Sequence, residues 1–270
     1  MNAPVFSDVS RTFVVGDVHG CLRELKALLA KAGVRKGVDR LVFAGDLLDR
    51  GPDSVGVVRL AMDYGAEAVM GNHEEKHLRY RRGELRASNR DHPAVERMSM
   101  PHPYVHKTLT PLEWEWLGKL PLTVWLYENL VVVHGGFSME CRPRSPTINA
   151  CRIRFADRRS KKSVPGIGSI GCPEGAEFWT RLYDGGENGK TSVIYGHQPF
   201  GTPNVEFGKG FWMAGIDTGA CYGDSLTGLW VEDNDFVSTR AIRSYYGRDY
   251  ENVSQRVWSN WGARRTSTLA

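Results

Sequence analysis

Between residues 11 and 83 the chain runs three times through one unit: a short apolar run, a polar loop opening on glycine, and a helix-spaced segment closed by glycine. In the first unit Arg11-Thr-Phe-Val-Val15 leads into Gly16-Asp17-Val18-His19-Gly20, then Leu22, Leu25, Leu28, Leu29 and Ala32 at helical spacing, with Gly33 as the stop. The second runs from Arg40-Leu-Val-Phe-Ala44 into Gly45-Asp46-Leu47-Leu48-Asp49-Arg50-Gly51. Asp53-Ser54 then caps a helix bearing Val55, Val58 and Met62, which Gly65 closes. The third passes from Ala66-Glu-Ala-Val-Met70 through Gly71-Asn72-His73-Glu74 to a polar helix ending at Arg82 and Gly83. Successive units of this kind predict parallel strands with right-handed crossovers, and therefore three polar loops on one sheet edge. Open α/β sheets bind their ligands at that edge.

Beyond residue 83 the pattern weakens. Residues 84–110 collect His and Pro and read as a loop-rich excursion; Thr110-Pro111-Leu112-Glu113 is a capping box that starts a short helix. Residues 123–126 and 130–133 bracket Tyr127-Glu-Asn129 as a hairpin that ends at His134-Gly135-Gly136. Residues 138–176 read as mostly irregular, 179–182 as the end of a helix, and Ser192–Tyr195 as a strand reaching Gly196-His197. Residues 211–237 read as paired strands of a second sheet facing the first, and the last residues, from Arg264, as a tail. No linker divides the chain, so residues 1–270 form one domain, with 84–110 and 138–176 as insertions that wall a pocket.

Composition narrows the classes. A hydrophobic fraction of 41% with 24% charged residues excludes a disordered or fibrous chain. No apolar run is long enough for a bilayer, and residues 1–8 lack the basic and apolar regions of a secretory signal. Five cysteines without a C-x-x-C pair point away from a disulfide framework, so a cytoplasmic location is expected. A net charge of +4 is too small to imply stable nucleic-acid binding.

The polar residues at strand ends are Asp17, His19, Asp46, Asp49, Arg50, Asn72, His73, His134 and His197. Carboxylate, imidazole and amide oxygen together suit borderline divalent metals, Mn first, with Fe or Zn possible. A pair of ions needs a shared carboxylate, and Asp46, central in the order of strands, is the bridge. Taken singly, Gly-Asp after a strand is ordinary turn chemistry. Convergence on one sheet edge is what outweighs that explanation. His77, His92, His102 and His106 lack such support and read as structural. Asp184-Gly-Gly-Glu-Asn-Gly-Lys-Thr191 lacks the first glycine of a phosphate-binding loop and reads as a surface turn. The basic run from Arg142 to Lys162 is either a solvated loop or a positive lip for a polyanion.

These motifs resemble those of the calcineurin-like metallophosphoesterases, phosphoprotein phosphatase branch, with echoes of bacterial and phage Ser/Thr phosphatases and symmetrical diadenosine tetraphosphatases. The resemblance implies an α/β fold, a four-layer αββα sandwich of two facing mixed sheets flanked by helices. It also implies a hydrolase with two divalent cations, one held by Asp17, His19 and Asp46, the other by Asp46, Asn72, His134 and His197. His73 would be the general acid, oriented by Asp49; Arg50, Arg181 and Asn72 would grip phosphate oxygens. Pro199, in Gly196-His-Gln-Pro199, stands where nucleases of the superfamily carry a second histidine, which disfavours a nuclease. The expected reaction is attack of a bridging hydroxide on a phosphomonoester, with a Ser/Thr-type protein phosphatase first and dinucleoside polyphosphate hydrolysis as the alternative. The rival from another class is a non-catalytic phosphate- or nucleic-acid-binding protein.

Overall fold

The computed structural model describes residues 11–83, 103–166 and 171–246. The three expected units are β1 (Thr12–Val15), α1 (Leu22–Ala32), β2 (Arg40–Phe43), α2 (Ser54–Asp63), β3 (Glu67–Ala68) and α3 (Asn72–Arg81). Their stops and caps act as the residue types dictate: Gly33 closes α1 at φ 69°, and the Asp53 carboxylate accepts the Gly56 N–H at the start of α2. The third strand is shorter than expected because the Met70 N–H leaves the sheet for the Pro121 carbonyl, 2.7 Å away.

There follow α4 (Pro103–Thr108), α5 (Pro111–Gly118), the hairpin β4 (Thr123–Tyr127) and β5 (Leu130–Val133), then β6 (Phe155–Asp157), β7 (Ser163–Val164) and β8 (Ala176–Phe178). The chain continues with β9 (Ser192–Tyr195), β10 (Asn204–Gly208), β11 (Phe211–Gly215), β12 (Ser225–Trp230) and β13 (Asp235–Arg240). The Thr110–Glu113 capping box is present. Most of the 84–110 excursion, His92, His102 and the tail lie outside the described residues. The stretch 138–176 is less irregular than its sequence suggests: β6 pairs antiparallel with both β7 and β8. Residues 179–181 form a 3₁₀ turn rather than the end of an α-helix.

Two five-stranded mixed sheets face one another, ordered β13-β12-β1-β2-β3 and β10-β11-β9-β5-β4, with helices on their flanks. Strand parity builds the layers. Val14, Val42, Val132, Ile194 and Ala214 point between the sheets, while Phe13, Val15, Leu41 and Phe43 point outward to Leu25, Leu28 and Val57 of α1 and α2. On the far side of the second sheet, Val131, Val133, Val193 and Tyr195 pack on Phe155, Phe178 and Trp179, so the small sheet β6–β8 covers that face. Each such side chain stabilises the fold by roughly 1.5–3 kcal/mol when fully buried. The strands expected at 211–237 split between the sheets. β11 stays in the second, but β12 returns to pair antiparallel with β1, Phe13 opposite Trp230. The physical reason is that β12 is apolar on both faces, with Leu226 and Trp230 toward the helices and Leu229 toward the second sheet. Only an interior position buries both.

Parallel pairing then aligns the strand ends that matter. Val15 lies opposite Phe43 in the first sheet and Val133 opposite Tyr195 in the second, and the polar loops begin within a few residues of each.

Candidate active site

Four loops interlock at this edge through their backbones. The Val18 and His19 N–H groups donate to the Asp46 carbonyl, and the Gly196 N–H donates to the His134 carbonyl at 2.9 Å. Two glycines are needed for close approach. A Cβ at Gly71 would strike the backbone nitrogen and carboxylate of Asp46, and one at Gly196 would strike the Asp17 carboxylate. The loops are also strained. Seven non-glycine residues have positive φ among the described residues, and five of them are His19, Asp46, Asp49, Arg50 and His197. Strain concentrated in this way marks a place where geometry is imposed by its surroundings.

Asp46 is the hub. Its Oδ2 lies 3.4 Å from His19 Nε2, 3.3 Å from His134 Nε2 and 3.8 Å from His73 Nε2, while Oδ1 accepts the His73 backbone N–H at 3.0 Å. His134 Nε2 also stands 3.1 Å from both Asn72 Oδ1 and His197 Nδ1. Asp17 lies 3.9 Å from His19 Nε2 and accepts the His197 backbone N–H at 3.1 Å. All of these acids and imidazoles are buried. The Nδ1 atoms of His19 and His134 face the carbonyls of Leu48 and Ala44 at 2.9 and 2.8 Å. Carbonyls only accept, so both rings carry a proton on Nδ1 and aim Nε2 into the cluster.

This donor set fits divalent cations. Lone pairs of Asp46, Asn72, His19, His134 and His197 converge with few protons among them, and the buried His197 Nε2 has no hydrogen-bond partner. Two groupings have ligand atoms within 4.8 Å of one another, His19–Asp46–His73 and Asp46–His134–His197, and both contain Asp46. The second contains three of the four residues expected for one cation, with Asn72 Oδ1 3.1 Å from His134 Nε2. The first admits His73 where Asp17 was expected.

Charge in the cluster follows the same logic. Burial, followed by the Arg50 guanidinium, holds the His19 imidazole well below its ordinary value; burial, Arg154 and His134 do the same to His197. Both stay neutral, the form in which an imidazole could ligate a cation. His134 behaves oppositely: although burial works against it, Asp46 and Asp17 raise its imidazole to about 9. Burial and neighbouring Asp217 push the Asp17 carboxyl up, while Asp46 is held well down by His134, His73 and His19 against its burial. Asp217 is buried and spends one oxygen on the Gly219 N–H.

Around the cluster stand some of the expected side chains and some that were not expected. His73 Nδ1 meets Asp49 Oδ2 at 2.7 Å. Arg50 reaches into the cluster, its Nη1 2.8 Å from His19 Nε2, and lies over the rings of Tyr222 and Tyr246 at 5.3 and 5.5 Å. Arg181 is elsewhere: it sits on the 3₁₀ turn after β8 with its guanidinium 3.2 Å from Glu177 and more than a third exposed. The second arginine at the cluster is Arg154, which donates to the His197 carbonyl at 2.7 Å and to Gln198 Oε1 at 3.0 Å. Nothing local in the sequence singles it out from the basic run. Of that run, Arg142, Arg152, Arg158 and Lys162 are each paired with a carboxylate, of Asp184, Glu75, Glu177 and Glu140 respectively, so the positive lip is smaller than its letters suggest. Glu74, the last residue of the third loop motif, has a role that the sequence does not announce. It accepts the N–H groups of Asp46, Leu47, Leu48 and Gly71 at 2.9–3.1 Å and ties the second loop to the third. Asp184–Thr191 is a turn built on left-handed glycines, as expected.

A mixed two-sheet sandwich with a carboxylate shared between two metal-ligand groupings defines a metal-dependent phosphoesterase, and comparison with known proteins places it. The chain belongs to the calcineurin-like phosphoesterase family, whose model matches residues 10–240. It is a metallophosphoesterase, a hydrolase of phosphoester bonds, in a family that depends on dinuclear metal centres. Bis(5'-nucleosyl)-tetraphosphatase PrpE [asymmetrical] of Bacillus subtilis is 32% identical over 256 residues, which cover 86% of this chain and 95% of the relative. The symmetrical bis(5'-nucleosyl)-tetraphosphatase of Photorhabdus laumondii is 49% identical, but over only 65 residues, 23% of this chain. A solved structure of a protein taken to be a diadenosine tetraphosphatase superposes with a TM-score of 0.68 at 23% identity, covering 88% of this chain and 96% of the other. Among the described residues no helix is long and apolar enough to cross a membrane.

Proposed function

We propose that this chain hydrolyses dinucleoside polyphosphates, splitting a bis(5'-nucleosyl) tetraphosphate unevenly, at a site that takes two divalent cations, Mn first. The observation that carries the reaction class is the single oxygen, Asp46 Oδ2, standing 3.3–3.8 Å from imidazoles of both sheets. The substrate rests on the relative of that name, which this chain matches along nearly its whole length. The protein-phosphatase reading, placed first on sequence alone, becomes the second.

Asp17, His19 and Asp46 would hold one cation and Asp46, Asn72, His134 and His197 the other. When bound, the two cations supply Lewis acidity and neutralise phosphoryl charge. The side chains do the rest. Arg50 and Arg154 bind the non-bridging phosphate oxygens; Arg154, already anchored on the His197 carbonyl, replaces Arg181 in that task. His73 Nε2 donates its proton to the departing oxygen, while Nδ1 stays on Asp49. Burial lowers the His73 imidazole against the upward pull of Asp46 and Asp49, which makes it a stronger donor to a leaving phosphate. The buried walls exclude water from the two arginines and so strengthen their grip on a polyanion.

The test is a panel assayed with Mn: diadenosine tetraphosphate, a phosphopeptide, p-nitrophenyl phosphate and a phosphodiester, with products resolved by chromatography. ATP and AMP from the first, at the highest kcat/KM of the panel, is the expected result. A phosphopeptide preferred tenfold over the dinucleotide would overturn the substrate assignment and leave the reaction class standing.

A further inference from the structure

Asp49 is tied down far more heavily than one imidazole requires. Its Oδ2 receives both His73 Nδ1 and Lys76 Nζ at 2.7 Å, its Oδ1 faces His77 Nε2 at 2.8 Å, and its backbone N–H donates to the Ser54 hydroxyl at 2.9 Å. Lys76 and His77 are buried, at 3% and 0% exposure, and neither belongs to the ligand set, the acid or the phosphate grip. His77 is itself held: its Nδ1 lies 3.0 Å from His106 Nε2, the two rings stack at 5.0 Å, and Trp114 packs against both, 5.0 Å from His106 and 6.4 Å from His77. With Nε2–H donated to a carboxylate that cannot donate back, His77 Nδ1 is left as the acceptor for His106. One helix supplies these groups. On α3, residues 76 and 77 follow His73 by three and four places and therefore share its face.

We propose that Lys76 and His77 are positioning residues for phosphoryl transfer, two donors that pin both oxygens of the Asp49 carboxylate so that it holds the His73 ring in one orientation, Nδ1–H on Asp49 and Nε2 toward the leaving oxygen. The inference rests on the acid role proposed for His73. A lone carboxylate–histidine pair can rotate about the Asp side chain, and an acid must stay within hydrogen-bond reach of the oxygen it protonates. Asp49 also sits at φ 70°, a backbone angle unfavourable to a residue with a Cβ, which the Lys76 and His77 contacts help to hold. Lys76 Nζ fixes Oδ2 and His77 Nε2 fixes Oδ1, so neither carboxylate oxygen is left to turn.

The experiment is a double-mutant cycle on the Mn-loaded full chain with diadenosine tetraphosphate and p-nitrophenyl phosphate. His77→Leu and Lys76→Met should each lower kcat about tenfold or more, part of the roughly 10²–10⁴ that a general acid contributes. KM and bound Mn should stay at wild-type values. His77→Gln, whose amide nitrogen reaches the place of Nε2, and Lys76→Arg should recover kcat to within about threefold. In a His73→Asn background the same substitutions should cost nothing further, because the group they position is gone. Additive losses in that background, or loss of Mn in the single variants, would overturn the clamp. If His73→Asn itself leaves both rates unchanged, the acid assignment fails instead. Nitrogen-15 NMR of the His73 ring reads the clamp without turnover: wild type and His77→Gln should show one tautomer with Nδ1 protonated, and the same spectrum from His77→Leu would refute it.

Discussion

Replacing Glu74 tests whether the metal loops are held by one carboxylate. Four backbone N–H groups, from Asp46, Leu47, Leu48 and Gly71, converge on its two oxygens, two on each, and the residue is fully buried. A buried donor left unpaired costs roughly 1–3 kcal/mol. Glu74→Gln exchanges one oxygen for an NH₂ group, which strands two N–H donors and places donor against donor; the cost is roughly 2–6 kcal/mol on that basis. Glu74→Ala strands all four, a cost of the same order as a whole domain's stability of about 5–15 kcal/mol, and should leave little folded protein. Urea unfolding followed by fluorescence of the eight tryptophans measures the difference, as a lower midpoint at unchanged slope. Because Asp46 rides on the loop that Glu74 anchors, the glutamine variant should also hold Mn less tightly in equilibrium dialysis. A glutamine variant within about 0.5 kcal/mol of wild type would refute the reasoning, since surface substitutions of no structural consequence fall in that range.

Three further outcomes are expected. Asp46→Asn should abolish turnover and reduce Mn bound per chain, because a neutral amide would not replace the carboxylate in holding divalent cations; metal analysis after gel filtration checks it. Arg154→Lys should raise KM for diadenosine tetraphosphate about tenfold, whereas Arg181→Lys, on a guanidinium paired with Glu177, should stay within twofold in the same assay. Asp49 gives a pH signature. Despite burial, its hydrogen bonds from His73 and His77 hold the carboxyl well below the ordinary range. A depressed carboxyl contributes stability that is fully present above the unfolded value of about 3.9 and is lost as pH falls through the folded value. The stability gap between wild type and Asp49→Asn should therefore be constant above about pH 5 and narrow in more acid solution, as read by denaturant titration at stepped pH.

The local chemistry of this site was legible because strand, loop and helix follow one another within each unit. Glycine stops, the Asp53 cap and the Thr110–Glu113 box depend on neighbours a few residues away, and each came out as expected. So did the pairing of His73 with Asp49. Lys76 and His77 could have been found the same way, by reading α3 forward from His73 at helical spacing. Arg154 could not. It reaches the cluster only because β6 folds over the outer face of the second sheet and brings residue 154 beside His197, and no short-range pattern encodes that meeting.

What the residues determined by themselves is therefore the donor set: acids, imidazoles and an amide at strand ends, on an edge that parallel pairing must make common. What tertiary structure decided is which of them share an oxygen, and which distant cations close the ring. Side-chain periodicity acts over a turn or a strand, whereas the meeting of Asp46 with His134, and of His197 with Arg154, requires two sheets to stack and a covering sheet to fold back. β12 shows the same division: its two apolar faces announce an interior strand, but only the space beside β1 says in which sheet.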